Sequence, residues 1–254
     1  MTTIAVSLQV SVNELCCKNR CMEPELTPFL QPIENWHVPL IITPLKGESE
    51  YDTRLQWMGE FNRTYNCKKR GIALIPTKFG LSMVLHLNQA GALVHIYGDG
   101  FVLLAHGGVG MGQELYTKRC QIAARKLNCP LDTIFTSETS LNAVAKTSPT
   151  AASAGSDLNG MAIQHACQQL NPCLEPYRQK YDPEATLKTL AHPAYLDRVN
   201  LTANGFYETP IIGYKWGNYV DPLPMYFYFT QGAAISEVEL DVLTGSHTVL
   251  RTDR

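Results

Sequence analysis

The sequence predicts an α+β fold, in which mixed sheets pack against helices. Strand-like and helix-like stretches follow one another without the regular alternation that a doubly wound parallel sheet requires. Two apolar runs, residues 91–97 and 101–105, flank a Gly-Asp-Gly turn, which predicts a hairpin. Two helix-like stretches follow this hairpin, and the tail of the chain is rich in strand-like runs.

Composition limits the classes of function that the chain can serve. Its 254 residues are 45% hydrophobic, which is enough for a sizeable core. The formal charge of −2 creates no field that favours nucleic acid or a membrane surface as a partner. Charged residues make up 17%, below the usual share of about 25%, so we expect part of the surface to face another domain or subunit. No stretch approaches the roughly 20 apolar residues of a membrane span.

The eight cysteines predict free thiols in a reducing cytoplasm. None of them forms a Cys-x-x-Cys pair, and Cys17 and Cys21, the nearest to a ligand spacing, lack a completing Cys or His pair. Residues 1–12 have neither a basic start nor a small-residue cleavage site, so we do not expect a signal peptide.

Residues 1–66 are predicted to form an N-terminal segment, divergent in sequence from the rest of the pattern described below, that is rich in proline and cysteine and then helical. The five prolines among residues 1–50 predict extended or loop-like chain, because proline breaks a helix interior. Apolar residues at helical spacing then predict a helix over residues 50–66. Residues 72–75 are predicted to be a short strand that Pro76 ends, and residues 81–87 a further strand.

A glycine-rich stretch, residues 106–115, is the first candidate site. It follows the apolar run 101–105 and precedes a helix predicted over residues 111–127. Glycines let the backbone approach a ligand, and a helix start offers free N–H groups to an anion. Gln113 adds an amide that both donates and accepts. The stretch lacks the lysine of a phosphate loop and the spacing of a dinucleotide fingerprint, and a glycine-rich turn without a ligand is the alternative.

A second candidate site is residues 147–156, almost all of them small or hydroxyl-bearing. A helix with apolar residues at helical spacing follows, and Ser156 or Asp157 is predicted to cap it. Pro172 is predicted to interrupt this helix, and Pro176 and Pro183 to end it. A loop of this kind before a helix can hold phosphate or other oxygens. A flexible Ser/Ala linker is the alternative.

The segments between and after these two sites are mostly predicted strands. Residues 133–138 are predicted to form one between the sites. The tail is predicted to contain five more, the last two of them paired as a hairpin. The predicted tail strands are residues 204–207, 213–216, 225–229, 235–242 and 248–251.

Short runs over most of the chain resemble those of the xanthine dehydrogenase family of molybdenum hydroxylases. Their order and spacing hold from about Glu14 to Asp253. The clearest are residues 75–80 (IPTKFG), 87–92 (LNQAGA), 106–113 (HGGVGMGQ), 147–153 (TSPTAAS), 157–160 (DLNG), 205–210 (GFYETP) and 250–253 (LRTD). The resemblance implies that residues 67–254 are part of the family's molybdopterin-binding domain.

The resemblance also implies an oxidoreductase that hydroxylates purines, such as hypoxanthine and xanthine, with oxygen from water. Its cofactor would be molybdenum-molybdopterin, whereas FAD and the two-iron, two-sulfur clusters would belong to other domains of the full-length family enzyme. The residues implied to touch the pterin are Gly112, Gln113, Ala151, Ala152 and Ser153. Met83 and Val84 would stand where the family has an aromatic residue and a threonine that face the substrate.

Some family features have no counterpart in this sequence. Gly110 stands where the family loop has a glutamate, and Glu114 where it has a glycine. No segment matches the one that carries the family's catalytic glutamate, so the sequence offers no catalytic residue and no protein ligand to a metal. We therefore expect no turnover from these 254 residues alone, since no general base remains.

Three hypotheses about function follow. The chain is a fragment of a purine-hydroxylating enzyme, whose partners would be the purine and the enzyme's missing domains or a homodimer partner. Alternatively, it is a catalytically inactive remnant that binds cofactor or associates with a full-length partner. The third hypothesis is a degraded copy that barely folds.

Overall fold

A computed structural model describes residues 1–83, 87–145, 147–181, 185–210 and 214–254. The predicted α+β fold is confirmed, since helices are mixed with two sheets. The helices are α1 (Thr2–Leu8), α2 (Val12–Lys18), α3 (Val38–Glu48), α4 (Tyr51–Thr64), α5 (Leu115–Leu127), α6 (Gly155–Lys180) and α7 (Leu187–Leu196). The strands are β1 (Lys68–Met83), β2 (Gln89–Ile96), β3 (Val102–His106), β4 (Ile134–Thr136), β5 (Thr202–Glu208), β6 (Tyr226–Asp241) and β7 (His247–Asp253).

The chain divides into two compact units. One comprises residues 1–80, 215–224 and 228–254, and the other comprises residues 81–214 and 225–227. We refer to them as the terminal unit and the central unit. No helix in the described part of the chain is both long and apolar enough to cross a membrane.

The central unit is built on a four-stranded sheet in the order β4-β3-β2-β5. Strand β2 is antiparallel to both neighbours, and β3 is parallel to β4. Alternate residues of β2, among them Ala90 and Val94, join the core that also contains buried residues of α5 and α6. Helix α6 lies so close to β5 that a Cβ added to Gly205 would fall 1.8 Å from the Ala162 carbonyl oxygen. A glycine is therefore required at this position.

The terminal unit has a three-stranded sheet in the order β1-β6-β7. Its apolar core combines residues of α3, such as Val38 and Ile42, with Leu74 of β1 and Ile235 of β6. Arg54 of α4 is buried and forms ion pairs of 2.8 Å with both Glu237 and Asp253. Arg251 also pairs with Asp253, at 2.6 Å, so two arginines and two carboxylates form a charge cluster in this unit.

Both predicted hairpins are confirmed. Strands β2 and β3 pair antiparallel, and the Tyr97 N–H donates to the Phe101 carbonyl at 2.9 Å across the turn. Gly100 in that turn has a φ of 88°, which explains the glycine. Strands β6 and β7 form the second antiparallel pair.

The prediction that residues 1–50 are extended or loop-like was wrong, because α1, α2 and α3 all lie there. Pro39 occupies the first turn of α3, where its missing N–H would have no helical partner. Pro44 lies inside α3 and removes one hydrogen bond, but Val38, Ile42 and Leu45 are all buried. Burial of this apolar face holds the helix together across the proline.

Other predicted elements were too short. Helix α6 continues through Pro172 and Pro176 as far as Lys180, because Leu170 and Leu174 remain in the core. Strand β1 continues through Pro76 on the edge of its sheet, where a strand tolerates a missing N–H.

Four of the predicted strands need further comment. Residues 225–229 and 235–242 lie largely within one strand, β6. Residues 84–86 of the strand predicted over 81–87 lie outside the described residues, as does Gly213. Tyr214 to Trp216 are not a strand, contrary to the prediction.

Candidate functional site

The glycine loop, residues 107–114, connects β3 to α5 in the central unit. The prediction that α5 begins at Met111 was wrong, because the helix begins at Leu115. Gly112 has a φ of 84° and Glu114 one of 58°, and neither conformation belongs to a right-handed helix. Val109, Gly110, Met111 and Gly112 are exposed. The loop therefore presents four consecutive residues to solvent.

The second candidate loop, residues 147–154, is called the small-residue loop here. The Thr150 hydroxyl accepts the Val109 N–H at 2.9 Å, which joins the two loops. Thr147 lies against Gly107 so closely that an added Cβ would be 2.1 Å from the threonine Oγ1. The two loops that the sequence marked independently are thus neighbours in the structure.

The backbone of the small-residue loop forms a tight turn at its tip. Ala152 and Ser153 have φ values of 52° and 54°, and the Ala154 N–H donates to the Ala151 carbonyl at 3.1 Å. Residues 151–153 are exposed, and the Ala152 carbonyl accepts the Ser82 N–H at 3.1 Å. These residues therefore point a fixed turn toward solvent.

Helix α6 begins directly after this turn. Its N-cap residue is Ala154, which makes no side-chain cap, so the prediction that Ser156 or Asp157 caps the helix was wrong. Both residues lie inside the first turn instead. A helix start without a side-chain cap leaves backbone N–H groups directed at whatever lies in front of it.

The side chain of Gln113 folds back onto the glycine loop. Its Oε1 accepts the Met111 N–H, and its Nε2 donates to the Val109 carbonyl at 2.9 Å. Both ends of the amide thus stabilise the loop. To contact a ligand, the amide must exchange one of these bonds for a bond to the ligand.

The positions that differ from the family pattern have local explanations. A Cβ at Gly110 would lie 2.6 Å from Cε2 of Tyr116, so the tyrosine ring fills the space that a larger residue would need. The Glu114 carboxylate accepts the Thr117 hydroxyl at 2.9 Å, which directs its charge along α5.

Arg119 and His106 form a buried pair beneath the glycine loop, with exposed fractions of 0% and 1%. The Arg119 Nη1 lies 2.6 Å from Nδ1 and 2.7 Å from Nε2 of the imidazole. Burial, and secondly the charge of Arg119, lowers the pKa of His106 to about 4. Burial also lowers the pKa of Arg119 to about 10. At neutral pH the pair therefore carries one positive charge, on the guanidinium.

The sequence prediction missed Arg119. It shares the spacing of four residues with Leu115, Ala123 and Leu127, which are all buried on one face of α5. An arginine at an apolar position of a helical repeat was the available signal. Such a position usually means that the charge has a specific role or partner.

Several buried polar atoms around the two loops have no hydrogen-bond partner among the residues that the structure describes. They are Ser82 Oγ, Thr147 Oγ1, Asn159 Oδ1, and Nε and Nη2 of Arg119. Buried polar groups are rarely left unpaired, so this cluster needs an explanation. A polar, anionic ligand on the two loops matches the hydroxyl, guanidinium and N–H donors, and in this respect the residues fit a phosphate-bearing pterin.

The two predicted substrate-facing residues are only partly described. Met83 is half-buried and follows Ser82, the residue that donates to the small-residue loop. The Met83 carbonyl accepts from Nδ2 of Asn88 at 2.6 Å. Val84 lies outside the described residues. Within the described ranges, no group of three His, Cys, Asp or Glu side chains is arranged to hold a metal ion.

The site and fold correspond to one class of protein. The family model for the molybdopterin cofactor-binding domain matches residues 45–254. The chain belongs to this family, and molybdopterin is confirmed as the family's cofactor.

The matching full-length proteins include fungal and mammalian enzymes. Nicotinate hydroxylase hnxS of Emericella nidulans is 54% identical, and this chain aligns over its whole length with 19% of that protein. Xanthine dehydrogenase of the same organism is 55% identical, with all of this chain and 18% of that protein aligned. Xanthine dehydrogenase/oxidase of Felis catus is 46% identical, again over all of this chain and 19% of that protein. The predicted relationship to xanthine dehydrogenase is confirmed, and the chain spans about a fifth of these relatives' length.

Solved structures support the fold. CO dehydrogenase from Oligotropha carboxidovorans has a TM-score of 0.75 at 18% identity, over 99% of this chain and 34% of that one. Aldehyde oxidoreductase from Desulfovibrio desulfuricans has a TM-score of 0.72 at 19% identity, over 99% and 26% of the two chains. At these identities the likeness establishes the fold alone.

Proposed function

We propose that the glycine loop and the small-residue loop together bind the molybdopterin cofactor of a heteroaromatic-hydroxylating enzyme. The main support is the hydrogen bond between Thr150 and Val109, which joins the two loops. Several buried polar atoms around these loops have no partner among the described residues. Gly112, Gln113, Ala151, Ala152 and Ser153 are the proposed contact residues. All five belong to the two loops, and all except the half-buried Gln113 are exposed.

Four of the five proposed contact residues have a chemical role that the geometry supports. The N–H groups of the turn at Ala152 and Ser153, with the uncapped start of α6, would donate to anionic oxygens of the cofactor. Gly112 permits close approach of the backbone. Gln113 would exchange its bond to Val109 for a bond to the pterin, whose edge offers both donors and acceptors.

When bound, the molybdenum cofactor supplies the redox chemistry by which a ring carbon is hydroxylated with oxygen from water. The residues of this chain bind and orient it. We propose a purine, or a related heteroaromatic such as nicotinate, as the substrate class, because the relatives are named for such substrates. Met83 and Val84 are proposed to face that substrate. The general base, FAD and iron–sulfur clusters would come from other domains of a longer polypeptide or from a partner subunit.

We further propose that the chain works in the cytoplasm, since all eight cysteines are free. The division into a divergent segment, residues 1–66, and a cofactor-binding part, residues 67–254, remains a prediction. Expression of residues 67–254 alone, with the same cofactor assay, would test it.

The test of the proposed function is cofactor loading. The chain is expressed in a host that makes molybdopterin, and molybdenum and pterin are measured per mole of purified protein. We expect stoichiometric pterin in the wild type and a loss of at least tenfold in Gln113→Ala. Gln179→Ala, on the exposed C-terminal part of α6, serves as a control and should load like the wild type.

Two results would contradict the proposal. A cooperatively folded wild type without pterin would refute cofactor binding by this chain. Undiminished loading of Gln113→Ala would refute the assigned role of Gln113. The chain could also load pterin but fail to restore activity when it is combined with a fragment that supplies the missing domains. That result would favour the hypothesis of a catalytically inactive remnant.

A further inference from the structure

Arg119 is a buried cation, and no carboxylate in the described ranges is its partner. Its side chain is fully buried on α5, and among the residues that the structure describes it forms no ion pair with Asp or Glu. Arg54, the other buried arginine, shows the usual solution, with Glu237 and Asp253 each at 2.8 Å. An uncompensated buried charge is costly, so Arg119 needs a reason to be there.

The immediate neighbours of Arg119 do not supply a negative charge. His106 accepts one guanidinium N–H, and its pKa of about 4, lowered mainly by burial, keeps the imidazole neutral at pH 7. The Tyr116 ring centre lies 5.9 Å from the guanidinium carbon and offers only its π-face. Nε and Nη2 of Arg119 have no acceptor among the described atoms.

The free side of the guanidinium faces the glycine loop. A Cβ added to Gly108 would lie 2.2 Å from Nη2, so the charge sits directly against this backbone segment. Gly108 is itself buried, whereas the next four residues, beginning with Val109, are exposed. The guanidinium charge is therefore separated by the loop backbone alone from a ligand bound at these exposed residues. The low dielectric constant of the buried surroundings weakens its electric field little over that distance.

We propose that Arg119 is a positioning residue that supplies the counter-charge for a phosphate group held at the two joined loops. The inference rests on the proposed function for the identity of the cofactor, but the phosphate site can be tested separately. Arg119 acts through the backbone of Gly108, and the Thr147 hydroxyl, which has no partner among the described residues, lies beside Gly107 of the glycine loop. Without the anion the buried charge destabilises the chain, and with it the same charge strengthens binding.

This role predicts effects of opposite sign for one substitution. Arg119→Met keeps the length and apolar stem of the side chain and removes the charge. We expect it to raise the melting temperature without ligand by several degrees, and to weaken binding of inorganic phosphate or pyrophosphate at least tenfold. A residue that only fills space would lower the melting temperature and leave phosphate affinity unchanged.

The experiment uses the full chain, with phosphate and pyrophosphate titrated at constant ionic strength by calorimetry and thermal melting. Arg119→Lys can keep a positive charge but does not reproduce the planar guanidinium, so its phosphate affinity should lie between those of the wild type and Arg119→Met. Lys118→Met removes an exposed charge from the same helix and should bind as the wild type does. If Arg119→Met fails to fold, Arg119→Gln, which also removes the charge, is compared with the wild type in its place.

Two outcomes would overturn the proposal: no phosphate binding by the wild type, or wild-type affinity in a folded variant without the charge, Arg119→Met or Arg119→Gln. The cofactor-loading assay separates this inference from the proposed function. Normal loading of Arg119→Met would refute the role of Arg119 and leave cofactor binding intact. The chain could instead bind phosphate in an Arg119-dependent way and never load pterin. That result would refute the proposed cofactor binding and leave the role of Arg119 intact.

Discussion

The Thr150 hydroxyl accepts the backbone N–H of Val109 at 2.9 Å, so one side chain of the small-residue loop fixes the exposed part of the glycine loop. The Thr139 hydroxyl donates to the Gly108 carbonyl at 3.1 Å. The glycine loop is therefore held at two successive residues, although it has few side chains of its own to pack.

Removal of this bond should loosen the site more than the fold. Thr150→Val keeps the shape of the side chain and removes the acceptor, so we expect a loss of about 1 kcal/mol in unfolding free energy, typical of one hydrogen bond. Cofactor loading should fall more strongly, since the two loops would no longer be fixed to each other. Thr150→Ser retains the hydroxyl and should behave as the wild type in both measurements. Equal loading of the valine and serine variants would show that the bond does not shape the site.

Stability should fall between pH 6.5 and pH 4 because of His106. The pKa of its imidazole, ordinarily about 6.5, is lowered to about 4 in the folded chain, mainly by burial. Between these values the unfolded state binds the proton and the folded state does not, so stability is present above pH 6.5 and is lost as the pH falls. The full difference amounts to about 3 kcal/mol, and urea unfolding at a series of pH values measures it.

His106→Gln removes the titrating group and provides the comparison for that pH series. Between pH 6.5 and pH 4, the unfolding free energy of this variant should fall less than that of the wild type. The difference between the two falls should equal the contribution of His106 given above. Parallel pH profiles for the two proteins would show that His106 is not the group responsible.

The buried ion cluster of the terminal unit should be essential to that unit. Arg54→Ala leaves Glu237, whose side chain is only 14% exposed, without its cation, whereas Asp253 keeps an ion pair of 2.6 Å with Arg251. Loss of one partner from a buried ion pair costs about 3–5 kcal/mol. Lys68→Met removes an exposed partner of Glu239 instead and should cost less than about 1 kcal/mol. Similar losses for the two variants in urea unfolding would contradict this reading.

Gly110 and Tyr116 should behave as a matched pair. Gly110→Glu introduces the residue that the resemblance implies for the family, but it places its Cβ 2.6 Å from the tyrosine ring, and the ring is held by a bond of 3.1 Å to the Thr139 hydroxyl. We expect a loss of roughly 1–3 kcal/mol from this overpacking. Tyr116→Ala in the same chain should recover part of it, and a double-variant cycle measures the coupling. Additive effects of the two substitutions would exclude direct contact.

Sequence patterns gave the hairpins and the two candidate loops, because turn glycines and clusters of small residues act locally. The glycines of the turn at residues 98–100 specify the β2–β3 hairpin with little help from the rest of the chain. The adjacency of the glycine loop and the small-residue loop was not predictable from periodicity, since a distant threonine creates it.

The errors share a physical cause in tertiary packing that overrides local propensity. Prolines suggested that residues 1–50 form no helices and that α6 stops early, yet buried apolar faces carry α3 and α6 across Pro44 and Pro172. Glu114 in a left-handed conformation delays α5 by four residues relative to the predicted start at Met111. Local propensities predict how much free energy each residue costs in a helix. They do not include the burial of apolar side chains that compensates for this cost in the folded chain.

The buried charge of Arg119 also bears on the life of the protein in the cell. Newly made chains begin without ligand, and in that state the proposed electrostatic cost lowers their resistance to unfolding. Proteases act on molecules that open, so chains that fail to acquire the anionic ligand should be degraded first. Abundance of the protein would then follow the supply of its ligand, and one arginine side chain would link synthesis of the cofactor to survival of its carrier.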